Sequence, residues 1–132
     1  MIHLGADLVI SEIVPGLSLG TFDAAQATIS DFVICVHENP VVLTTPNGRG
    51  AWIPIMESEG RASHGRLAAV ATLIDAELLA GRRVLVHCHH GVERSPLAVA
   101  WFLTTKHGMT IDSAYRLVME RHPRTQDRRR WL

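Results

Sequence analysis

The sequence predicts an α/β domain: a single central, mostly parallel sheet of about five short strands with helices packed on its faces. Three observations carry this. The runs "FVICVH" (32–37) and "VLVHC" (84–88) are continuously apolar and rich in branched residues, as in strands covered on both faces. Segments with apolar residues at helical spacing alternate with such runs, and this alternation implies a sheet flanked by helices. The chain has 132 residues, 47% of them hydrophobic, which suits one domain over 1–132 with a real core.

The elements follow in order. "DLVISEIV" (7–14) and "LSLG" (17–20), split by Pro15-Gly16, read as two short strands. Thr21 caps a short helix running to Ile29. After the strand 32–37, residues 39–50 hold Pro40, Pro46, Asn47, Gly48 and Gly50 and read as a loop. "AWIPI" (51–55) is a further strand, and Pro54 places it at an edge or at a strand end. Over 63–80, Leu67, Val70, Ala71, Ile74 and Leu78 share one helical face, with Ser63 as cap and Gly81 as terminator. Beyond the strand 84–88, Ser95-Pro96 reads as cap and first position of a helix that Gly108 ends. A last helix starts after Thr110 and closes at Pro123.

Several classes fall away on composition. No apolar run reaches the ~18 residues of a membrane span. No basic segment followed by an apolar stretch marks a secretory signal. Two cysteines make a poor disulfide framework, so a reduced, cytoplasmic setting is expected. Net charge is zero, yet residues 1–60 carry seven acids and one base, and residues 61–132 carry twelve bases and six acids. A basic second half fits an anionic ligand, although folding mixes the halves. Arg128-Arg129-Arg130 is too short to argue for nucleic acid and reads as a solvated tail.

The stretch "VLVHCHHGVERSP" (84–96) concentrates the chemistry. It lies between a buried strand and a helix start, at the strand's carboxyl end, where open α/β sheets bind ligands. Loop amides and a helix N-terminus make an anion site. Gly91 permits a backbone angle that other residues resist. Arg94 can grip two phosphate oxygens at once. Cys88 would sit on the floor of this cradle as a nucleophile whose negative charge the surroundings favour. A zinc site is the competing reading, since His87, Cys88, His89 and His90 are all ligand types. Consecutive residues on a strand point alternately up and down, and zinc sites space their ligands about two to five residues apart with a second cluster. No metal is expected.

His87-Cys88, five residues, then Arg94-Ser95 resembles the signature of the cysteine-dependent protein tyrosine phosphatases. "SEIVPGLSLGTFDAA", "WIPI", "GRRVLVHC" and "RSPLAVAWFL" are similar to segments of the dual-specificity branch, and the resemblance covers about residues 8–121. Low-molecular-weight phosphatases carry a similar loop near the N-terminus, unlike the position here. The resemblance implies a cysteinyl-phosphate on Cys88 and a phosphate held by Arg94 and the amides of His89, His90, Gly91, Val92 and Glu93. It further implies that Ser95 assists the thiolate's departure and that His87, buried, holds the loop.

The chain departs from that pattern in one place. The branch's general acid is an aspartate, and no aspartate occurs between Asp31 and Asp75. In "IPIMESEG" (53–60) Glu57 takes the acid's position, Glu59 is its neighbour, and His64 is the next candidate. Glu93 beside Arg94 would repel phosphate, so it is expected to turn outward and pair with a base. The expected protein is a monomeric phosphatase acting on phosphotyrosine, phosphoserine or phosphothreonine of proteins, or on other phosphomonoesters. Cofactors, membrane and nucleic acid partners are not expected. A phosphate-binding module without turnover, or an RNA 5′-phosphatase, remain the alternatives. Cys35 is either a small core residue or a thiol near enough to Cys88 to form a disulfide with it.

Overall fold

A computed structural model describes residues 1–3, 8–27, 30–39 and 49–132. The first residue of the strand expected from 7, the last two of the helix expected to 29, and most of the loop expected over 39–50 lie outside the described residues.

The strands are β1 (Ile2–His3), β2 (Val9–Val14), β3 (Leu17–Gly20), β4 (Phe32–Cys35), β5 (Gly50–Trp52), β6 (Met56–Ser58), β7 (Arg61–Ala62) and β8 (Val84–His87). The helices are α1 (Phe22–Ala27), α2 (His64–Leu79), α3 (Arg94–His107) and α4 (Ile111–Arg121), with a 3₁₀ turn at Arg129–Trp131. Six strands form the main sheet in the order β1-β2-β3-β8-β4-β5. The five beyond the two-residue β1 are those expected. The pairs β3–β8, β8–β4 and β4–β5 are parallel, while β1 and β2 join antiparallel. β5 lies at the edge, and Pro54 follows its end.

Register decides where the chemistry falls. Gly20 and Cys35 both pair with His87, so three parallel strands end level at one edge of the sheet. Alternation along the strands explains their unbroken apolar runs. Ile34, Val84 and Val86 face a large core under α2, α3 and α4, whereas Val33 and Leu85 face a small cluster with Ala25 of α1. α3 packs between α2 and α4, and Leu97, Phe102 and Leu103 are fully buried. Each such side chain contributes roughly 1.5–3 kcal/mol by leaving water.

Local signals set the helix ends. Thr21 Oγ1 accepts from Ala24 N at 3.1 Å, Ser63 Oγ from Arg66 N at 3.2 Å, and Thr110 Oγ1 from Ser113 N at 3.1 Å. Gly108 closes α3 in the left-handed conformation. The hairpin β6–β7 lies between β5 and α2, in a stretch for which no strand beyond 55 was expected. Its turn is Glu59-Gly60, with Gly60 at φ +75°.

Candidate active site

β8 delivers Cys88 to the level strand ends, and α3 starts at Arg94, so residues 88–93 bridge a buried strand and a buried helix. Gly91 has φ +65°, and a Cβ there would lie 3.0 Å from the Gly20 carbonyl oxygen. Both the angle and the close approach require glycine. Cys88 is buried, and its Sγ lies 3.3 Å from Ser95 Oγ.

The start of α3 corrects the expected cap at Ser95. The Glu93 carbonyl already accepts from Leu97 N at 3.3 Å, so the first turn is Arg94–Pro96, and Glu93 makes no side-chain cap bond. Pro96 is tolerated there because first-turn N–H groups have no partner within the helix. Ser95 is freed from capping to meet Cys88, and the helix N-terminus keeps its amides without a side-chain acceptor.

His87 is fully buried, with Nδ1 2.8 Å from the Cys88 carbonyl oxygen. A carbonyl only accepts, so Nδ1 carries the proton. His89 and His90 are exposed on the rim, their rings 4.2 Å apart. Phe22 N donates to the His89 carbonyl at 3.0 Å. Glu93 pairs with a base as expected, Arg128 Nη2 donating to its Oε1 at 3.3 Å, but it does not leave the loop's concave side: it also lines the hollow above the loop. The hollow above the loop measures about 150 Å³ and is lined by Cys88, His89, His90, Val92, Glu93 and Arg94 together with His37.

Arg94 Nε donates to Glu38 Oε1 at 2.7 Å, just beyond β4. This contact joins the acidic half of the chain to the basic one, as does Arg83 with Asp31 at 3.2 Å. The charge asymmetry of the sequence is therefore partly consumed in internal pairs. A cleft of about 520 Å³ beside Arg94 carries four carboxylates, Glu38, Glu57, Glu59 and Glu93, with Met56 and Trp131. The β6–β7 hairpin thus brings both candidate acids to the cleft that Arg94 borders. Glu57 is 60% exposed and pairs with Arg61 Nε at 3.2 Å. His64 lies apart, with Nε2 2.8 Å from the Leu132 carbonyl oxygen. Cys35 is fully buried and shares with Cys88 a second hollow of about 310 Å³. Burial is the main cause that raises the Cys35 thiol's pKa. Among the described residues, no group of three or more His, Cys, Asp or Glu is placed to hold a metal ion.

The C-terminal segment 121–132, expected to dock weakly, is docked, and its arginine run is not the solvated tail expected of it. His122 is fully buried, with Nε2 2.7 Å from the Gly91 carbonyl oxygen and Nδ1 2.6 Å from Ser11 Oγ. Gln126 N donates to the Val92 carbonyl at 2.8 Å. The Trp131 ring lies 5.9 Å from the Arg94 guanidinium carbon and 5.4 Å from that of Arg128.

Burial holds His87 and His122 below the usual histidine pKa. Folding therefore keeps both neutral at a pH where the unfolded chain already binds their protons. Their contribution is complete above about pH 6.5 and is lost as pH falls from there toward the lower folded values. Asp31 and Asp127, held low chiefly by hydrogen bonds from Arg83 and Arg129, act only below about pH 3.9. The melting temperature should drop between pH 7 and 5, and His122→Gln should shallow that drop by removing one titrating ring. Equal slopes would contradict the assignment.

The model of the dual specificity phosphatase catalytic domain matches residues 23–131. A viral protein named as a tyrosine phosphatase, 123R of Invertebrate iridescent virus 6, is 31% identical over 70 residues, which is 53% of this chain and 49% of that protein. The chain thus matches about half the length of that relative. Among solved structures, a mouse protein described as a dual specificity phosphatase, complexed with zinc tungstate, superposes with a TM-score of 0.83 at 19% identity. That match covers 99% of this chain and 86% of the other. The human tyrosine phosphatase-like serine/threonine/tyrosine-interacting protein gives a TM-score of 0.73 at 24% identity, over 92% and 89% of the two chains. The family match takes in the Cys88–Arg94 loop, the acidic hairpin and the docked C-terminal segment together, and the chain belongs to the dual specificity phosphatase catalytic domain family.

Proposed function

We propose that this domain hydrolyses phosphate monoesters, phosphotyrosine in proteins among them, through a cysteinyl-phosphate. The carrying observation is Cys88, set at the base of a small hollow with Arg94 on its wall and Ser95 Oγ 3.3 Å from its sulfur. The sulfur attacks phosphorus as the bond to the leaving oxygen breaks, and Glu57 gives that oxygen its proton. Water then attacks phosphorus, Glu57 takes up the water's proton, and the S–P bond breaks with Ser95 donating to the departing thiolate. Arg94 and the amides of residues 89–94 bind the equatorial oxygens throughout.

The cleft's chemistry supports an aromatic monoester over a polyanion. Trp131 offers a ring, and the four carboxylates oppose further negative charge, which counts against triphosphate ends of RNA. The second reading, a phosphate binder without turnover, is favoured by one observation: Arg61 occupies Glu57, so the acid must leave an ion pair to work.

An aryl phosphate assay, with and without chelator, separates the readings. Chelator-independent turnover is expected, whereas binding without turnover would leave the binder, and loss with chelator would mean a metalloenzyme. A phosphotyrosine peptide should be cleaved faster than 5′-triphosphate RNA. Glu57→Gln should slow alkyl phosphates by about 10²-fold. Its effect on p-nitrophenyl phosphate should be smaller, since that leaving group needs little protonation. A larger effect from Glu59→Gln would move the acid to Glu59, and no effect from either would remove both.

A further inference from the structure

Four carbonyls of the loop are each held from outside it. Cys88 accepts from His87 Nδ1, His89 from Phe22 N, Gly91 from His122 Nε2 and Val92 from Gln126 N. No peptide bond in the described chain is cis. In a planar trans peptide the C=O and the next N–H point in opposite directions. Pulling a carbonyl outward therefore turns the following amide inward, here those of His89, His90, Val92 and Glu93.

Of these four units, the one after Gly91 differs from the others in how it is held. Its lock is the one supplied by a side chain distant in sequence. The Gly91 carbonyl only accepts, so His122 Nε2 bears the proton and Nδ1 accepts from the Ser11 hydroxyl. Ser11 on β2 is 3% exposed and His122 is wholly buried. An apolar side chain would fill this space without the desolvation cost of an imidazole. What the imidazole adds is direction.

We propose that His122, oriented by Ser11, is a positioning residue for the phosphate cradle: it holds the Gly91 carbonyl outward and so aims the Val92 amide at the phosphoryl group. This rests on the cysteine phosphatase reading, and the test keeps the two apart. The full chain and its variants His122→Leu, His122→Gln and Ser11→Ala are compared by kcat and KM on p-nitrophenyl phosphate, by inhibition with orthovanadate and inorganic phosphate, and by melting temperature. Vanadate bound to the thiolate imitates the five-coordinate transition state, so a misaimed amide weakens it more than it weakens phosphate.

In His122→Leu, measured where the variant is folded, kcat/KM and vanadate affinity should both fall by about 10²-fold, the loss typical of one oxyanion donor. The loss should appear mainly in kcat. His122→Gln keeps a donor at the place of Nε2 and should recover most of the vanadate affinity. Ser11→Ala should fall between. Wild-type vanadate affinity in folded His122→Leu overturns the proposal, as does a fall in melting temperature alone. If His122→Leu does not fold, unchanged vanadate affinity in Ser11→Ala overturns it, and a loss there that His122→Gln does not share supports it. A wild-type chain that neither hydrolyses the ester nor binds either anion overturns the phosphatase reading instead.

Discussion

Replacing Cys88 by serine should lower turnover by about 10⁴-fold or more, the scale on which loss of a nucleophile is felt, while inorganic phosphate and uncleaved aryl phosphate still bind. The hydroxyl is no larger than the thiol and fits the same buried place beside Ser95. Arg94, the loop amides and the bonds from His87, Phe22, His122 and Gln126 are all retained, so the proposed anion site should survive. A serine hydroxyl is un-ionised without a base, and its neighbour Ser95 is none. Initial rates and equilibrium binding on the same preparation give the answer. Turnover near that of the wild type would remove the cysteine mechanism, and loss of binding together with turnover would show that the sulfur itself builds the site.

Arg94→Lys should cost about 10³-fold in kcat/KM, comparable to removing an arginine that stabilises phosphoryl transfer. The reason lies in how Arg94 is held. Its Nε donates to Glu38, which fixes the plane of the guanidinium and leaves both terminal nitrogens for two phosphate oxygens. A lysine has one nitrogen, which would have to choose between Glu38 and phosphate. Given Glu38 alone, the ammonium would be drawn toward the cleft wall. Kinetics of Arg94→Lys beside the double variant with Glu38→Gln test this. The double variant should recover part of the lost phosphate affinity, and identical constants would mean that Glu38 has no hold on position 94.

Legibility followed the range of the contacts. β4 and β8 are readable because branched apolar runs carry their own signal, and α2 because one face repeats its apolar residues. The placement of the loop 88–93 followed, since a strand, a glycine and an arginine before a helix lie within one short stretch. The β6–β7 hairpin escaped because strands of three and two residues show no periodicity. Ser95 was misplaced as a cap because Ser-Pro is a local rule, and the sulfur of Cys88 overrode it in space. His122 was unreadable: its two partners lie 31 and 111 residues away. Glu93 could be expected to face a base, but nothing local named Arg128. Glu38 met Arg94 only because β4 and β8 are neighbours in the sheet.

The strand order β3-β8-β4 also has a meaning in time. A ribosome at about 5–20 residues per second makes Val84 roughly 3–13 s after Gly20. Through that interval the slot at the middle of the sheet is vacant. Until then β3, and β4 once it is made, lack the strand that both pair with in the fold, and Leu17, Leu19 and Ile34, all fully buried in the folded protein, lack that neighbour. Unpaired apolar edges recruit other chains. The nascent chain is therefore exposed at these edges until β8 emerges, and the strand that leads into Cys88 is also the wedge that ends this exposure.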